Sequence, residues 1–417
     1  MSGTERPFDT HRPPRADRSR PHRRRTIDID TLVVGAGPQA LTVLARWARD
    51  RPASVNQVVV VDPAGGWMRA WHDQFERQRI EVLRSPGVHH PDPDEMAFVH
   101  RCVRRRAGTD AVGVEQATTA IGPLRRPTTV AFTRFCRDLV RGTGLSRRVV
   151  AGTVIDLDPA NQPSRPCWTA ELDDGTTVGA RQVIWAGNPR RRVVPDGVEL
   201  GATVRHSDQV DIDDAAPGCR IAVLGGGQTA GQLALEASRR GAHAVVIGRG
   251  AARVADLDVD AGWLMDDRLA PFRSIACPAQ RRRVVEAARR GSMTSDLVAT
   301  LERASIPRLT ATDGLRARSK GDGAIVEIGE VVLDVDEVWV ATGSVPDLRA
   351  DPALSRRAAD GASHADGWPI LDGRLRWLDG LSVVGALAAL TLGPAAGNLG
   401  GARAAAETLA GQRPRAM

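Results

Sequence analysis

Tyrosine is absent from this 417-residue chain, and Lys320 is the only lysine among 57 basic residues. No phenol can serve as an acid here, and every other cationic role falls to arginine. We read this bias as the codon usage of a GC-rich genome, not as function. Cysteine is sparse, with five residues at 102, 136, 167, 219 and 277, odd in number and widely spaced. That pattern points to reduced thiols in a cytoplasm, not to a disulfide framework. No Cys-x-x-Cys occurs, which excludes dithiol redox chemistry. No apolar run approaches the length of a membrane span, and none follows the arginines near the amino terminus, so neither an anchor nor a signal peptide is expected. His89 and His90 are adjacent in a Pro-rich loop, but they lack ligand spacing and a placed Cys or carboxylate partner, so no metal site is expected.

The length accommodates two or three domains with ample core. The formal charge is +7, and residues 1–25 hold eight Arg against Glu5, Asp9 and Asp17. Much of the excess charge therefore sits in that stretch. With several prolines and almost no aromatic residue, residues 1–27 read as a disordered, solvated tail and not as a nucleic-acid surface.

Thr31-Leu-Val-Val-Gly-Ala-Gly-Pro-Gln-Ala-Leu41 organises the rest. Leu32–Val34 reads as a buried strand and Leu41–Ala48 as a helix. Between them Gly35 and Gly37 allow a tight turn, so that backbone can lie against a pyrophosphate with the helix start aimed at its charge. Gln57–Asp62 is a second strand ending in a carboxylate, placed to hold a ribose hydroxyl. The pattern recurs. Ile221-Ala-Val-Leu-Gly-Gly-Gly-Gln-Thr-Ala230 repeats strand, glycines and helix, and Ala244–Gly248 supplies the next strand. Two such units imply two bound nucleotides.

Gly65–His72 shows too little periodicity for a helix, and Arg79–Arg84 reads as a short strand before a Pro- and His-rich loop over Ser85–Asp94. Pro127–Val140 opens with a capping threonine and spaces its apolar residues along one helical face. Val149–Leu157, Cys167–Leu172 and Thr177–Trp185 read as strands, with Asp173–Gly175 as a hairpin turn. Gln182-Val-Ile-Trp-Ala-Gly-Asn-Pro189 has a near copy at Glu337-Val-Trp-Val-Ala-Thr-Gly-Ser344. The two copies place one nucleotide domain inside the other. The expected fold is α/β, with two Rossmann-like dinucleotide-binding domains. A first part spans 28–216, an inserted domain 217–325 and a closing part 326–417, which ends in Leu381–Gly385 and a helix over Leu399–Ala410.

In that order the chain resembles the two-dinucleotide flavoproteins and, more narrowly, the flavin-dependent N-hydroxylating monooxygenases that act on lysine or ornithine. The resemblance covers roughly residues 29–410. Gly35–Leu41 is similar to that family's Gly-x-Gly-Pro-x-x-Leu, Trp71-His72 to its Trp-His pair beside the flavin, and Leu83-Arg84 to its Leu-Lys. Arg126–Phe132 resembles the Pro-Ser-Arg-x-Glu-Phe stretch, His206-Ser207 the His-Ser before the second unit, and Gly225–Ala230 the Gly-x-Gly-Gln-Ser-Ala.

The resemblance implies FAD, NADPH and O2, with hydroxylation of a nucleophilic nitrogen on a small amine or amino-acid-like substrate through a C4a-hydroperoxyflavin. It implies FAD contacts at Gly35, Gly37, Pro38, Gln39, Asp62, Trp67, Trp71, His72 and Val154. NADPH contacts would fall at Gly225, Gly227, Gln228 and Thr229, and closing contacts at Gly343, Gly393, Pro394 and Asn398. Arg84 and His72 are the catalytic candidates, although Arg84 also reads as an ordinary salt-bridged arginine and Trp71-His72 as a packed pair. Arg249 follows the strand that ends at Gly248, where an acid would bind an NAD ribose. An arginine there offers a planar fork for a 2′-phosphate, with Arg253 beside it. The start of the last helix, at Asn398, would bring positive dipole to the flavin's pyrimidine edge.

Three departures weaken the substrate assignment. Asp260–Arg268 lacks the family's Asn-Glu-x-Phe, Ser344 stands where the family has Tyr, and Leu392–Leu399 resembles the capping segment of the wider superfamily. Oxygenation of sulfur or of a ketone (Baeyer–Villiger chemistry), simple electron transfer and a regulatory flavoprotein acting through its basic tail remain open alternatives. A homo-oligomer is compatible with the sequence. Membrane and nucleic-acid partners are not expected.

Overall fold

The computed structural model describes residues 26–107, 125–160, 167–312 and 314–411. Most of the expected tail lies outside the described residues, but Thr26 and Ile27 already belong to a strand. That strand, β1 (Thr26–Val34), is followed by α1 (Pro38–Asp50) and β2 (Val58–Asp62). Next come α2 (Arg69–Arg77), α3 (Ala97–Ala107) and α4 (Thr129–Gly142).

The short helix α2 corrects the non-helical reading of Gly65–His72. Met68 adopts a left-handed φ of 60°, and its N–H donates to the Ala36 carbonyl at 2.8 Å, which turns the chain into the helix. The helical face then appears only beyond residue 72, where Phe75 stacks on Trp71 with ring centroids 3.9 Å apart. The strand expected over Arg79–Arg84 reduces to one bridge, Val82 with Thr128, because Arg79 kinks the backbone at φ 48°. The capping threonine of α4 is Thr128, whose hydroxyl accepts from the Ala131 N–H.

Four strands follow: β3 (Val149–Ala151), β4 (Val154–Pro159), β5 (Trp168–Leu172) and β6 (Thr177–Trp185). The single strand expected over 149–157 is divided at Gly152 and Thr153, because β3 pairs with β2 while β4 pairs with β5.

The chain then leaves this sheet. After β7 (Arg190–Arg192) and β8 (Val204–His206) come β9 (Arg220–Leu224), α5 (Gln228–Arg239) and β10 (His243–Gly248). Three helices follow, α6 (Asp266–Ser274), α7 (Pro278–Ala288) and α8 (Ser295–Arg303), and then β11 (Arg308–Thr310). An antiparallel trio, β12 (Arg316–Lys320), β13 (Gly323–Ile328) and β14 (Val331–Val335), precedes β15 (Glu337–Val340) and β16 (Ser344–Pro346). The return passes through α9 (Pro352–Ala359), the small hairpin β17 (His364–Ala365) and β18 (Trp368–Pro369), and then β19 (Arg376–Leu378) and β20 (Leu381–Val383). Short α10 (Ala389–Leu392) and α11 (Leu399–Ala410) close the chain.

Two large sheets result, beside the antiparallel trio and two small two-stranded pairs. The first runs β19-β20-β6-β1-β2-β3, with β5 joined to β6 and β4 to β5; its central pairings are parallel. The second runs β11-β10-β9-β15-β8 and is parallel throughout. Its strands all lie between β6 and β20 in sequence, so one α/β unit is inserted into the other. The second sheet takes β8 and β15, and so reaches from 204 to 340, beyond the expected 217–325. Each sheet is covered on both faces. That explains why β1, β2, β9 and β15 read as apolar runs without alternation.

Candidate functional site

The first glycine turn sits where β1 ends. The Gly35 N–H donates to Val61 O at 2.8 Å, and its φ of +99° is one that side-chain-bearing residues rarely adopt. A Cβ there would also lie 2.9 Å from the Gly187 nitrogen. A Cβ on Gly37, by contrast, would meet nothing within 4 Å. Gly37 is the N-cap of α1, no side chain caps the helix, and Pro38 fills the first helical position. The first N–H groups of α1 therefore have neither a helical nor a side-chain capping partner.

Asp62 folds back onto this turn. Its carboxylate accepts from the Ala36 N–H and the Ala64 N–H, each at 2.8 Å. Gln39 donates to the Asn398 carbonyl at 3.3 Å, and its own amide oxygen is buried without a partner. The Trp67 indole donates to Leu145 O at 2.9 Å. Trp71 lies against Phe75 and Phe132. His72 shares a 3.2 Å hydrogen bond with the Thr133 hydroxyl, and burial holds its imidazole below the usual range. The Val154 side chain is buried in the core of the first sheet, so it can offer a ligand only main chain.

The second turn repeats this design. The Gly225 N–H donates to Ile247 O at 2.8 Å, and a Cβ on Gly225 would run into the Ala341 carbonyl. Gly226 faces open space. Gly227 caps α5 and lies within van der Waals reach of Gly291. The Gln228 amide oxygen accepts the Thr294 N–H at 2.9 Å, and Thr229 is half-buried in the first turn of α5. Arg249 is exposed at the end of β10. Arg253 is exposed and donates to Arg290 O at 3.3 Å.

Further along, the Gly343 carbonyl accepts from His206 Nε2 at 3.1 Å. Gly393 has φ +87°, and the Pro394 carbonyl accepts from Arg289 at 2.8 Å. Asn398 is the N-cap of α11 without a side-chain capping bond. Its amide instead donates to Asp258 at 3.1 Å and accepts from Arg289 at 3.4 Å.

Arg84 is held by protein. Its guanidinium donates to the carbonyls of Ala255, Asp256, Leu257 and Ser292 and to the Ser292 hydroxyl, at 2.7–3.3 Å. Desolvation holds it below the usual arginine range. It stands on the wall of a pocket that also includes Ser85, His89, Asp258, Asp260 and Asn398. Asp258, Arg289 and Ser292 are placed here by tertiary structure alone, because they lie outside every motif in the sequence. The stretch Asp260–Arg268 forms a 3-10 turn and the start of α6. There Leu264 packs against Gly400, and Trp263 meets Phe272 edge-on.

No protein-family model and no curated protein matches the chain. Solved structures do. The ornithine N-hydroxylase of Kutzneria sp. 744, solved with reduced FAD, NADP+ and L-ornithine, superposes with a TM-score of 0.70 at 19% identity, covering 92% of this chain and 98% of that one. The reduced ornithine hydroxylase PvdA of Pseudomonas aeruginosa gives 0.69 at 16% identity, with the same coverage. DfoA of Erwinia amylovora, a cadaverine monooxygenase solved with FAD, gives 0.70 at 14%, covering 91% of this chain and 93% of that one. The chain has the fold of these hydroxylases.

Within the hydroxylase fold the two glycine turns are joined through a small set of residues. Gly187 abuts Gly35, and Ala341 abuts Gly225. The strands that follow, β7 and β16, pair with each other as an antiparallel hinge. Gly291 lies on Gly227 and, two residues before it, Arg289 holds Pro394 and Asn398. Among the described residues no group of His, Cys, Asp and Glu is arranged to hold a metal, and no helix is long and apolar enough to cross a membrane.

Proposed function

We propose that this chain is an FAD- and NADPH-dependent monooxygenase that uses O2 to hydroxylate a nitrogen of a small amine. The observation that carries the reading is the pair of glycine turns at the ends of two parallel sheets, linked across one hinge in the fold of amine hydroxylases. FAD fits the first sheet: Gly37 faces open space at an uncapped helix start, and the buried Gln39 oxygen lacks a partner. NADPH fits the inserted sheet, where Gly226 faces open space and exposed Arg249 and Arg253 suit a 2′-phosphate. When bound, the flavin supplies transfer of electrons from NADPH and activation of O2.

The protein's own residues do the rest. Asp62 locks the first turn, so that the helix-start N–H groups are set before any ligand arrives. Trp67, Trp71 and His72 wall the flavin side, with His72 kept neutral by burial. Arg84 positions residues 255–257 against Ser292 and so shapes the substrate pocket. With its donors committed to carbonyls, the pocket's other charged groups are the carboxylates of Asp258 and Asp260, each already paired with an arginine, Arg289 at 3.6 Å and Arg268 at 3.4 Å. The absence of a disulfide among the described residues suits a cytoplasmic protein.

The test uses flavin-loaded protein with ornithine, lysine and cadaverine in turn. Hydroxylated product matching the NADPH consumed is expected with at least one of the three amines. Full diversion of NADPH to hydrogen peroxide with every amine would overturn the reading.

A further inference from the structure

The hinge carries an arginine whose donors are left largely unanswered among the described residues. Arg190 begins β7, three residues beyond Gly187, which abuts Gly35 of the first turn. Its sole hydrogen bond among the described residues reaches the Ser344 hydroxyl at a long 3.4 Å. Ser344 is itself three residues beyond Ala341, the residue that abuts Gly225 of the second turn. The side chain therefore joins the strand that follows the first turn to the strand that follows the second. Its Nε is buried with no acceptor, and no carboxylate pairs with it. The neighbours on the same hinge differ, since Arg191 pairs with Asp347 and Arg192 with Asp208.

The charge that acts on it is another cation, Arg289. Desolvation, and then Arg289, push the Arg190 guanidinium down to about 10. Arg289 is fixed by the Pro394 carbonyl, Asn398 and, at 3.6 Å, Asp258. A guanidinium withdrawn from water beside a second, partly exposed one costs stability that an anion between them would offset. A buried donor without an acceptor points the same way.

We propose that Arg190, backed by Arg289, binds an anionic oxygen of a dinucleotide lying between the two glycine turns. This rests on the function proposed above. The chemistry, an oxyanion received by planar N–H donors, is offered by two sources: the phosphates of NADP(H), or the pyrimidine edge of the flavin, which becomes anionic on reduction.

The test compares flavin-loaded wild type with Arg190→Gln and Arg190→Lys. NADP+ affinity is read by titration, and the flavin edge by midpoint potential and sulfite affinity. If NADP+ phosphate is the ligand, Arg190→Gln weakens NADP+ binding by about tenfold or more, and Arg190→Lys restores part of it. If the flavin edge is the ligand, Arg190→Gln lowers the potential and weakens sulfite binding, and Arg190→Lys reverses both. Flavin-loaded Arg190→Gln that matches wild type in all three measurements overturns the proposal. Protein that takes up no flavin overturns the function reading instead. In that case inorganic pyrophosphate should still raise the melting temperature of wild type and not of Arg190→Gln, and failure to do so overturns the anion site as well.

Discussion

A guanidinium has five N–H donors, and where they point decides what an arginine does. Arg84 directs its donors at main-chain carbonyls of two separated segments, so its charge orders backbone. Replacing it with methionine removes several charge-assisted bonds and leaves carbonyls unpaired. We expect a loss of about 2–4 kcal/mol, measured by urea denaturation. Arg84→Lys should recover little of it, because a point charge cannot reach all of the acceptors. An Arg84→Met protein as stable as wild type but slow in turnover would return Arg84 to the role of an active-site cation. The contrast with Arg190 is one of partners. Two arginines of the same chemistry are told apart only by whether the protein itself answers their donors.

At the scale of elements, the loop before α3 is pinned by a buried histidine. His90 packs on Phe135 of α4 with ring centroids 4.9 Å apart, and its Nδ1 accepts from the Asp92 N–H at 3.2 Å and from Arg403 of α11 at 3.3 Å. Its Nε2 lies 3.1 Å from the Glu95 carbonyl. The groups that face it are therefore Arg403, His89 and the acids Asp92, Asp94 and Glu95. Burial, reinforced by Arg403, drives the imidazole down to about 4. A folded value below the unfolded one gives stability that is complete above about pH 6.5 and is lost as pH falls toward 4. The full effect is roughly 3 kcal/mol. Unfolding free energies at pH 7 and pH 4.5 should differ in wild type, and the difference should shrink in His90→Asn, whatever the overall stability of that variant; half-buried His72 and His89 leave a remainder. An equal slope in both proteins would refute the assignment.

Across the whole molecule, the two nucleotide turns stand on separate sheets with separate cores, so they should fail separately. Gly225→Ala places a methyl group against the Ala341 carbonyl at a backbone angle that alanine rarely adopts. We expect strain above about 1 kcal/mol at that turn. NADP+ binding should be lost while the protein keeps its flavin absorbance. Simultaneous loss of both would show that the sheets act as one unit.

The two strand–glycine–helix units, the helix at Thr129 and the last helix were legible in the sequence, because local pattern and backbone demand set them. Apolar runs bounded by glycine need no distant partner to be recognised. The α2 helix, the division of the strand at Gly152 and the full reach of the second sheet were not legible. Each depends on which distant strand or carbonyl receives a given hydrogen bond. The site shows the same division. Spacing marked Gly35, Gly37 and Gly225 as turn positions, and they sit in strand–helix turns, whereas Asp258, Arg289 and Arg190 belong to no motif. They matter because folding brings together charges that lie far apart in the chain, and a side chain's electrostatic surroundings are a property of space, not of sequence order.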